Sequence, residues 1–180
     1  MKVLVLNGNP KASQDRFDNY LDELAALLNN KQHETTTIVL RDKKINHCIG
    51  CYSCWVKTPG VCIFDDDMPE ILKAIVHADV LLYTSPIIMG FTSGLLKSVQ
   101  ERTLPLIHPF IYIQDDRCQH VQRYESFPAI GLLLGNTNDD TRKYVTIIDN
   151  IMRGSKTRNF LFTKTMDVHP QEVADELDRI

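Results

Sequence analysis

Short apolar runs alternate with helical segments along almost the whole chain, and this alternation restricts the fold more than any other feature. Lys2 to Leu6 is an unbroken apolar stretch that meets a turn at Asn7-Gly8-Asn9-Pro10, the pattern of a buried strand. Phe17, Tyr20, Leu21, Leu24, Leu27 and Leu28 then recur at helical spacing, with Ser13 as the expected N-cap. Thr35 to Leu40 is short and β-branched, hence a strand. Asp67-Met68-Pro69-Glu70 reads as a helix start, an Asp cap with an early Pro and a Glu at the third position. Met68, Ile71, Leu72, Ile75 and Val76 form the buried face of that helix. Val80 to Thr84 is a strand stopped at Pro86, and a helix bearing Leu95, Leu96 and Val99 opens at Thr92 or Ser93. Residues 104–127 read as an irregular excursion with a short strand at Phe110 to Ile113. Ala129 to Gly135 is the next strand. A helix follows from Asp140 to Met152, with Tyr144, Val145, Ile148, Ile151 and Met152 facing inward. A strand within Arg158 to Thr163 and a helix from Pro170 to Ile180 close the series.

Strands that are continuously apolar, rather than alternating, belong to a parallel sheet covered on both faces. Five such βα units predict an α/β, flavodoxin-like, doubly wound five-stranded parallel sheet of order 2-1-3-4-5 with helices on both faces. The 180 residues fit one domain, 1–180, and no repeat or linker divides them. A net charge of -3 gives no footing for nucleic acid or a membrane surface, and the apolar runs are too short to cross a bilayer. The first ten residues lack a long apolar segment and a cleavage site, so a cytoplasmic protein is expected. Disulfides rarely persist there.

In a sheet of this order, ligands lie beyond the carboxyl ends of the strands, between strands one and three. Three loops meet there. The first, NGNPKASQDRF, opens a helix whose free N–H groups suit a phosphate, with Lys11, Ser13 and Arg16 as further donors. Asp15 opposes that, since a carboxylate in the first turn repels a dianion. An ordinary capped turn is the other reading. The second loop, TSPIIMGFTSGLLK, puts Ile87, Ile88 and Met89 where polar groups are usual and frees the backbone at Gly90. A flat apolar ligand would explain them, as would a subunit contact or a return into the core. The third, LLLGNTNDD, exposes Gly135 and small polar residues that can meet a ring edge or cap the next helix. The Walker pattern, G-x-G-x-x-G and G-x-S-x-G are all absent, and no Ser/His/Asp or Cys/His constellation stands out.

Four of the five cysteines fall in CIGCYSCWVKTPGVC, spaced C-x2-C-x2-C-x7-C. Cys48, Cys51, Cys54 and Cys62 can hold a [4Fe–4S] cluster, bind zinc, act as redox thiols, or pack as small hydrophobes in an interface loop anchored by Tyr52 and Trp55. Trp55 and the Thr58-Pro59-Gly60 turn lengthen the last link, which favours the metal-free loop. Cys118 and His47 read as bystanders.

SPIIMGFTSGLLKSVQER resembles the SP-V-Y-x-G-x-x-S-x-x-L-K-x-x-x-D-R segment of flavodoxin-like NAD(P)H-dependent FMN reductases. CIGCYSCWVKTPGVCIFDDDM is similar to the cysteine loop of one branch of that superfamily, which includes the iron–sulfur flavoproteins. The resemblance runs from Met1 to about Met152. It implies FMN as cofactor, NAD(P)H as co-substrate, a small-molecule electron acceptor, and a homodimer or homotetramer. It also implies that the flavin carries the chemistry, so no catalytic side chain is required. Electron relay through a cluster and a flavin-free binding module are the alternatives. By resemblance, the flavin-ring loop falls on Ser85, Pro86, Ile87, Ile88, Met89 and Gly90. The phosphate loop falls on Asn9 to Phe17, with Asn9, Lys11, Ser13, Arg16 and Phe17 as contacts, and the third loop on Gly135, Asn136 and Thr137. Departures from the family pattern are Ile88 in place of Tyr, Glu101 before Arg102, Asn9 in place of Ser, and Gln14-Asp15-Arg16 in place of a small polar run.

Overall fold

The computed structural model describes residues 1–11, 15–114, 117–135, 139–154 and 159–180. The central sheet contains β1 (Lys2–Asn7), β2 (Glu34–Val39), β3 (Val80–Ile88), β7 (Ala129–Gly135) and β8 (Phe160–Thr165) in the order β2-β1-β3-β7-β8. All four pairings are parallel. This is the expected 2-1-3-4-5 order. A short β4 (Phe91–Thr92) folds back on the end of β3 in antiparallel register. Helices α1 (Arg16–Asn30), α3 (Met68–His77), α4 (Gly94–Glu101), α5 (Asp139–Gly154) and α6 (Pro170–Leu177) complete the layers, with a four-residue α2 (Ser53–Val56) inside the cysteine loop.

The period of two along a strand divides the core. On one face Leu4, Leu6, Leu81, Tyr83 and Leu132 pack with Met68, Ile71, Ile75, Leu96 and Val99 of α3 and α4. On the other, Val3, Val5, Val80, Leu82 and Leu133 pack with Leu21, Leu24 and Leu28 of α1 and Val173 and Leu177 of α6. Truncating any fully buried Leu here costs about 2–5 kcal/mol.

Several local expectations are corrected. Strand three does not stop at Pro86: it continues to Ile88, with Pro86 paired to Gly135 at the sheet's end, where a missing N–H is tolerated. Asp67 stands at the N-cap position of α3, as expected, but its side chain makes no capping bond. Its Oδ2 accepts the Lys44 N–H at 2.7 Å, and Asp66 Oδ1 accepts the Met68 N–H at 3.2 Å instead. The short strand expected at Phe110 to Ile113 is present as part of β5 (Ile107–Gln114), but the residue 104–127 excursion is not otherwise irregular: β5 pairs antiparallel with β6 (Arg117–Gln122). Ile151 of α5 is exposed rather than inward.

Candidate functional site: the cleft at the switch point and the cysteine loop

The helix start nearest the switch point is built by Asp15. Its Oδ1 accepts the N–H of Phe17 at 2.9 Å and of Asp18 at 3.3 Å, so Asp15 caps α1. The expected cap, Ser13, lies outside the described residues, as do Asn136 and Thr137. Behind the turn, the buried Asp18 carboxylate accepts from Asn7 Nδ2 at 2.8 Å and Asn9 Nδ2 at 3.1 Å. It is paired with Arg41 Nη2 at 2.8 Å, and Arg41 Nη1 also donates to the Asn9 carbonyl at 3.3 Å. A buried charge must be matched in this way. Gly8 N–H donates to the Thr84 carbonyl at 2.9 Å, tying the turn to β3.

The second loop is closely tied down. Met89 (φ 51°) and Gly90 (φ 82°) form a two-residue turn between Ile88 and Phe91, which face each other. Positive φ at both central positions is the hairpin geometry that favours Gly at the second. Ser85 Oγ accepts the Ser93 N–H at 2.8 Å, and Ser93 Oγ donates to the Gly8 carbonyl at 2.6 Å while capping α4. These two hydroxyls stitch the first and second loops together.

A cleft of about 520 Å³ opens where the loops meet. Of the sequence-predicted residues, Asn9, Lys11, Arg16, Phe17, Pro86, Ile88 and Gly135 line it. Ser85, Ile87, Met89 and Gly90 are not among its lining residues: Ser85 and Ile87 are buried, and Met89 sits 94% exposed at the turn. Pro10, Asp15, Asn19 and Glu23 also line it, as do Tyr20, Met166 and Asp167, and sequence reasoning missed these last three. Met166 and Asp167 follow β8, so the switch-point rule would have found them had the fifth strand's loop been counted. The Tyr20 hydroxyl donates to the Val168 carbonyl at 2.8 Å. Burial, with Glu23 and Glu172 nearby, pushes its pKa up to about 12, so it remains a neutral wall.

Gly135 permits the close approach of Phe17. A Cβ there would meet Phe17 Cδ2 at 2.6 Å and Cε2 at 2.8 Å. Gly135→Ala is therefore expected to destabilise by about 1–3 kcal/mol through overpacking and to displace the Phe17 ring. Urea denaturation checks the first effect, and the near-ultraviolet spectrum checks the second.

No residue of the cysteine loop, 48–62, is among those that line the cleft. All five cysteines are free. Gly60 N–H donates to the Cys54 carbonyl at 2.9 Å and Val61 N–H to Thr58 O at 2.8 Å, so the long link folds back on itself. Burial raises the Cys54 pKa, and the charges of Cys62, Cys51 and Cys48 add to the rise. Ser53, through its side chain and its backbone, lowers that of exposed Cys51. Among the described residues, no three His, Cys, Asp or Glu groups are close enough as they stand to grip a metal ion. The donor set itself, four thiols on one loop, has the chemistry for iron–sulfur ligation. Trp55 anchors the loop: its Nε1 donates to the carbonyls of Leu104 at 3.0 Å and Ile107 at 3.1 Å, and its ring lies 5.2 Å from that of His120. At the inner side, Arg102 and Asp66 form a fully buried ion pair, with the guanidinium 5.2 Å from the Phe64 ring centre. Burial opposes the Arg102 charge, but Asp66 and the neighbouring Cys62 sulfur outweigh it and raise its pKa.

A doubly wound sheet with a cleft at its switch point defines the flavodoxin-like class. Residues 1–109 match the family described as NADPH-dependent FMN reductase, and the chain belongs to that family. Among curated relatives, an iron-sulfur flavoprotein of Methanocaldococcus jannaschii is 37% identical over 106 residues, covering 59% of this chain and 53% of that protein. One from Archaeoglobus fulgidus is 30% identical over 108 residues, covering 60% and 48%. The chain spans about half the length of the curated relatives it matches. Among solved structures, an NAD(P)H:quinone oxidoreductase from Methanothermobacter marburgensis has a TM-score of 0.67 at 14% identity, covering 99% of this chain and 95% of that one. An FMN-dependent NADH-azoreductase from Bacillus anthracis has a TM-score of 0.59 at 14% identity, with the same coverage. At such identities the shared property is the fold.

Proposed function

We propose that the chain is a flavin-dependent oxidoreductase that passes electrons from NAD(P)H to a small acceptor such as a flavin or a quinone. The carrying observation is the cleft of about 520 Å³ at the carboxyl ends of β1, β3 and β7 in a chain of this family. Its size is that of a small-molecule site. Pro86, Ile88, Phe17 and Tyr20 offer an apolar wall to a ring system, and Arg16 offers a polar contact beside Asn9 and Lys11, which are engaged by Asp15. FMN, when bound, supplies hydride acceptance and onward delivery of one or two electrons. The protein's part is to position the ring, exclude water and hold the loops still through Ser85 and Ser93. The full chain is expected to bind FMN at micromolar concentration and quench its fluorescence, and flavin fluorescence is expected to appear on heating protein purified with its cofactor. A chain that binds no flavin at that level would overturn this reading in favour of a flavin-free module.

A second reading is favoured by the cysteine loop. Its set of four free thiols, Cys48, Cys51, Cys54 and Cys62, supports an iron–sulfur flavoprotein that relays single electrons, as the names of the curated relatives suggest. Phe110, Ile111 and Ile113 are exposed on the β5–β6 hairpin and support a homodimer or homotetramer, which light scattering would measure. No helix of the described residues is long and apolar enough to cross a membrane.

A further inference from the structure

On the flavin reading of the cleft, which the proposal below requires, the ligand ends in a phosphate dianion if it is FMN and in a neutral hydroxyl if it is riboflavin. The natural berth for a dianion is the start of α1, where helix N–H groups point at the switch point. In this chain that berth holds a carboxylate. Asp15 Oδ1 already takes the Phe17 and Asp18 amides, together with Asn9 Nδ2 at 3.0 Å. Asp15 Oδ2 holds the Lys11 ammonium at 3.2 Å. The carboxylate therefore engages two side-chain donors that would otherwise serve a phosphate. Burial opposes its ionisation, but the hydrogen bonds from Lys11, Asp18 and Phe17 outweigh that and lower its pKa, so it is charged at neutral pH. Asp18, one turn on, is already neutralised by Arg41. Arg16 lines the cleft but is exposed, as the Lys11 ammonium is, so water and salt screen the attraction of both. An amide at position 15 would cap the helix equally well and would also present N–H donors, whereas the carboxylate presents acceptors alone.

We propose that Asp15 is a specificity-determining residue that cancels the phosphate's contribution to binding, so the cleft holds riboflavin as tightly as FMN. The flavin is then retained through its ring and ribityl chain, and FMN exchanges readily.

The test is a fluorescence titration of the full chain and of Asp15→Asn with riboflavin and with FMN, at one ionic strength. The wild-type affinities should agree within about threefold, and Asp15→Asn should tighten FMN alone by about tenfold, the scale of one like-charge contact removed at a partly screened site. Asp15→Ser, an uncharged residue that also caps helices, should act in the same direction and serves if Asp15→Asn does not fold. A wild-type preference for FMN of about tenfold or more would overturn the proposal and leave the flavin reading intact. So would a substitution that shifts both flavins equally, or neither. Failure of both flavins to bind either protein would overturn both.

Discussion

Asp66→Asn is expected to lower stability by about 3–5 kcal/mol, because it leaves the Arg102 guanidinium buried without a counter-charge. For a domain whose whole margin is about 5–15 kcal/mol, that is a large fraction. Both side chains are almost completely buried, and Asp66 is bound on every side: Arg102 Nη2 donates to it at 3.1 Å, Asn46 N–H and Nδ2 at 2.9 Å each, and Met68 N–H at 3.2 Å. Burial raises its pKa, but Arg102, Asn46 and Met68 together outweigh that and hold it well below the usual carboxylate range. A carboxyl depressed in the folded state contributes its stability fully above its unfolded pKa of about 4 and loses it as pH falls further. The gap between wild type and Asp66→Asn should therefore be full at neutral pH and shrink as the medium is acidified below about pH 4. Urea midpoints at the two pH values, with unchanged slope, measure it. Replacing both partners with neutral side chains should cost less than either single change, since no charge is then left unpaired. A variant whose midpoint does not move would show that Arg102 finds another partner.

That pair also marks where the sequence was opaque. The sheet order could be read from Lys2–Leu6, Val80–Thr84 and Ala129–Gly135, because fully buried parallel strands leave continuous apolar runs. The fold-back of β3 onto β4 could not, since Pro86 looks like a stop and only the hairpin turn at Met89–Gly90 shows the strand going on. Of the β5–β6 hairpin, only the middle of β5 at Phe110–Ile113 was legible, and β6 and the pairing were hidden for the opposite reason. Its strands, with Phe110, Ile111 and Ile113 all exposed, lack the buried alternation that betrays an antiparallel pair. At the candidate site, Asn9, Lys11 and Phe17 were legible because they follow a strand end, and Gly135 because it closes one. Tyr20 was assigned to the core, since helical spacing cannot distinguish a residue packed under a sheet from one at its rim. Asp15 was noticed as a charge in the wrong place, but its part as the helix cap depends on geometry that spacing alone does not fix.

On the iron–sulfur reading of the cysteine loop, anaerobically prepared protein is expected to carry about four irons with matching sulfide per chain and to absorb broadly in the visible, and Cys51→Ser is expected to abolish both. The loop can accept this change without unfolding. Cys51 is exposed, no cysteine belongs to either core cluster, the loop is held to the body by Trp55 and the Leu104 and Ile107 carbonyls, and the sulfur that meets buried Arg102 is that of Cys62, not Cys51. The long link from Cys54 to Cys62 is no obstacle, because its turn brings Gly60 back to the Cys54 carbonyl. Burial is the main cause that raises the Cys54 pKa, with the other thiols of the motif adding to it, and a metal that took the thiolates as ligands would offset that penalty. Cys51, whose pKa Ser53 already lowers, is the thiol readiest to ligate. Cys118→Ser, on the separate β6 strand, should leave iron content unchanged. The flavin cleft is formed by other residues, so Cys51→Ser protein should keep its flavin affinity while losing its iron. An anaerobic preparation with neither iron nor sulfide would return the loop to an interface role, where Tyr52→Ala and Trp55→Ala should change the assembly state and leave the flavin spectrum as it was. Metal without visible colour would identify zinc in the same four-thiolate set.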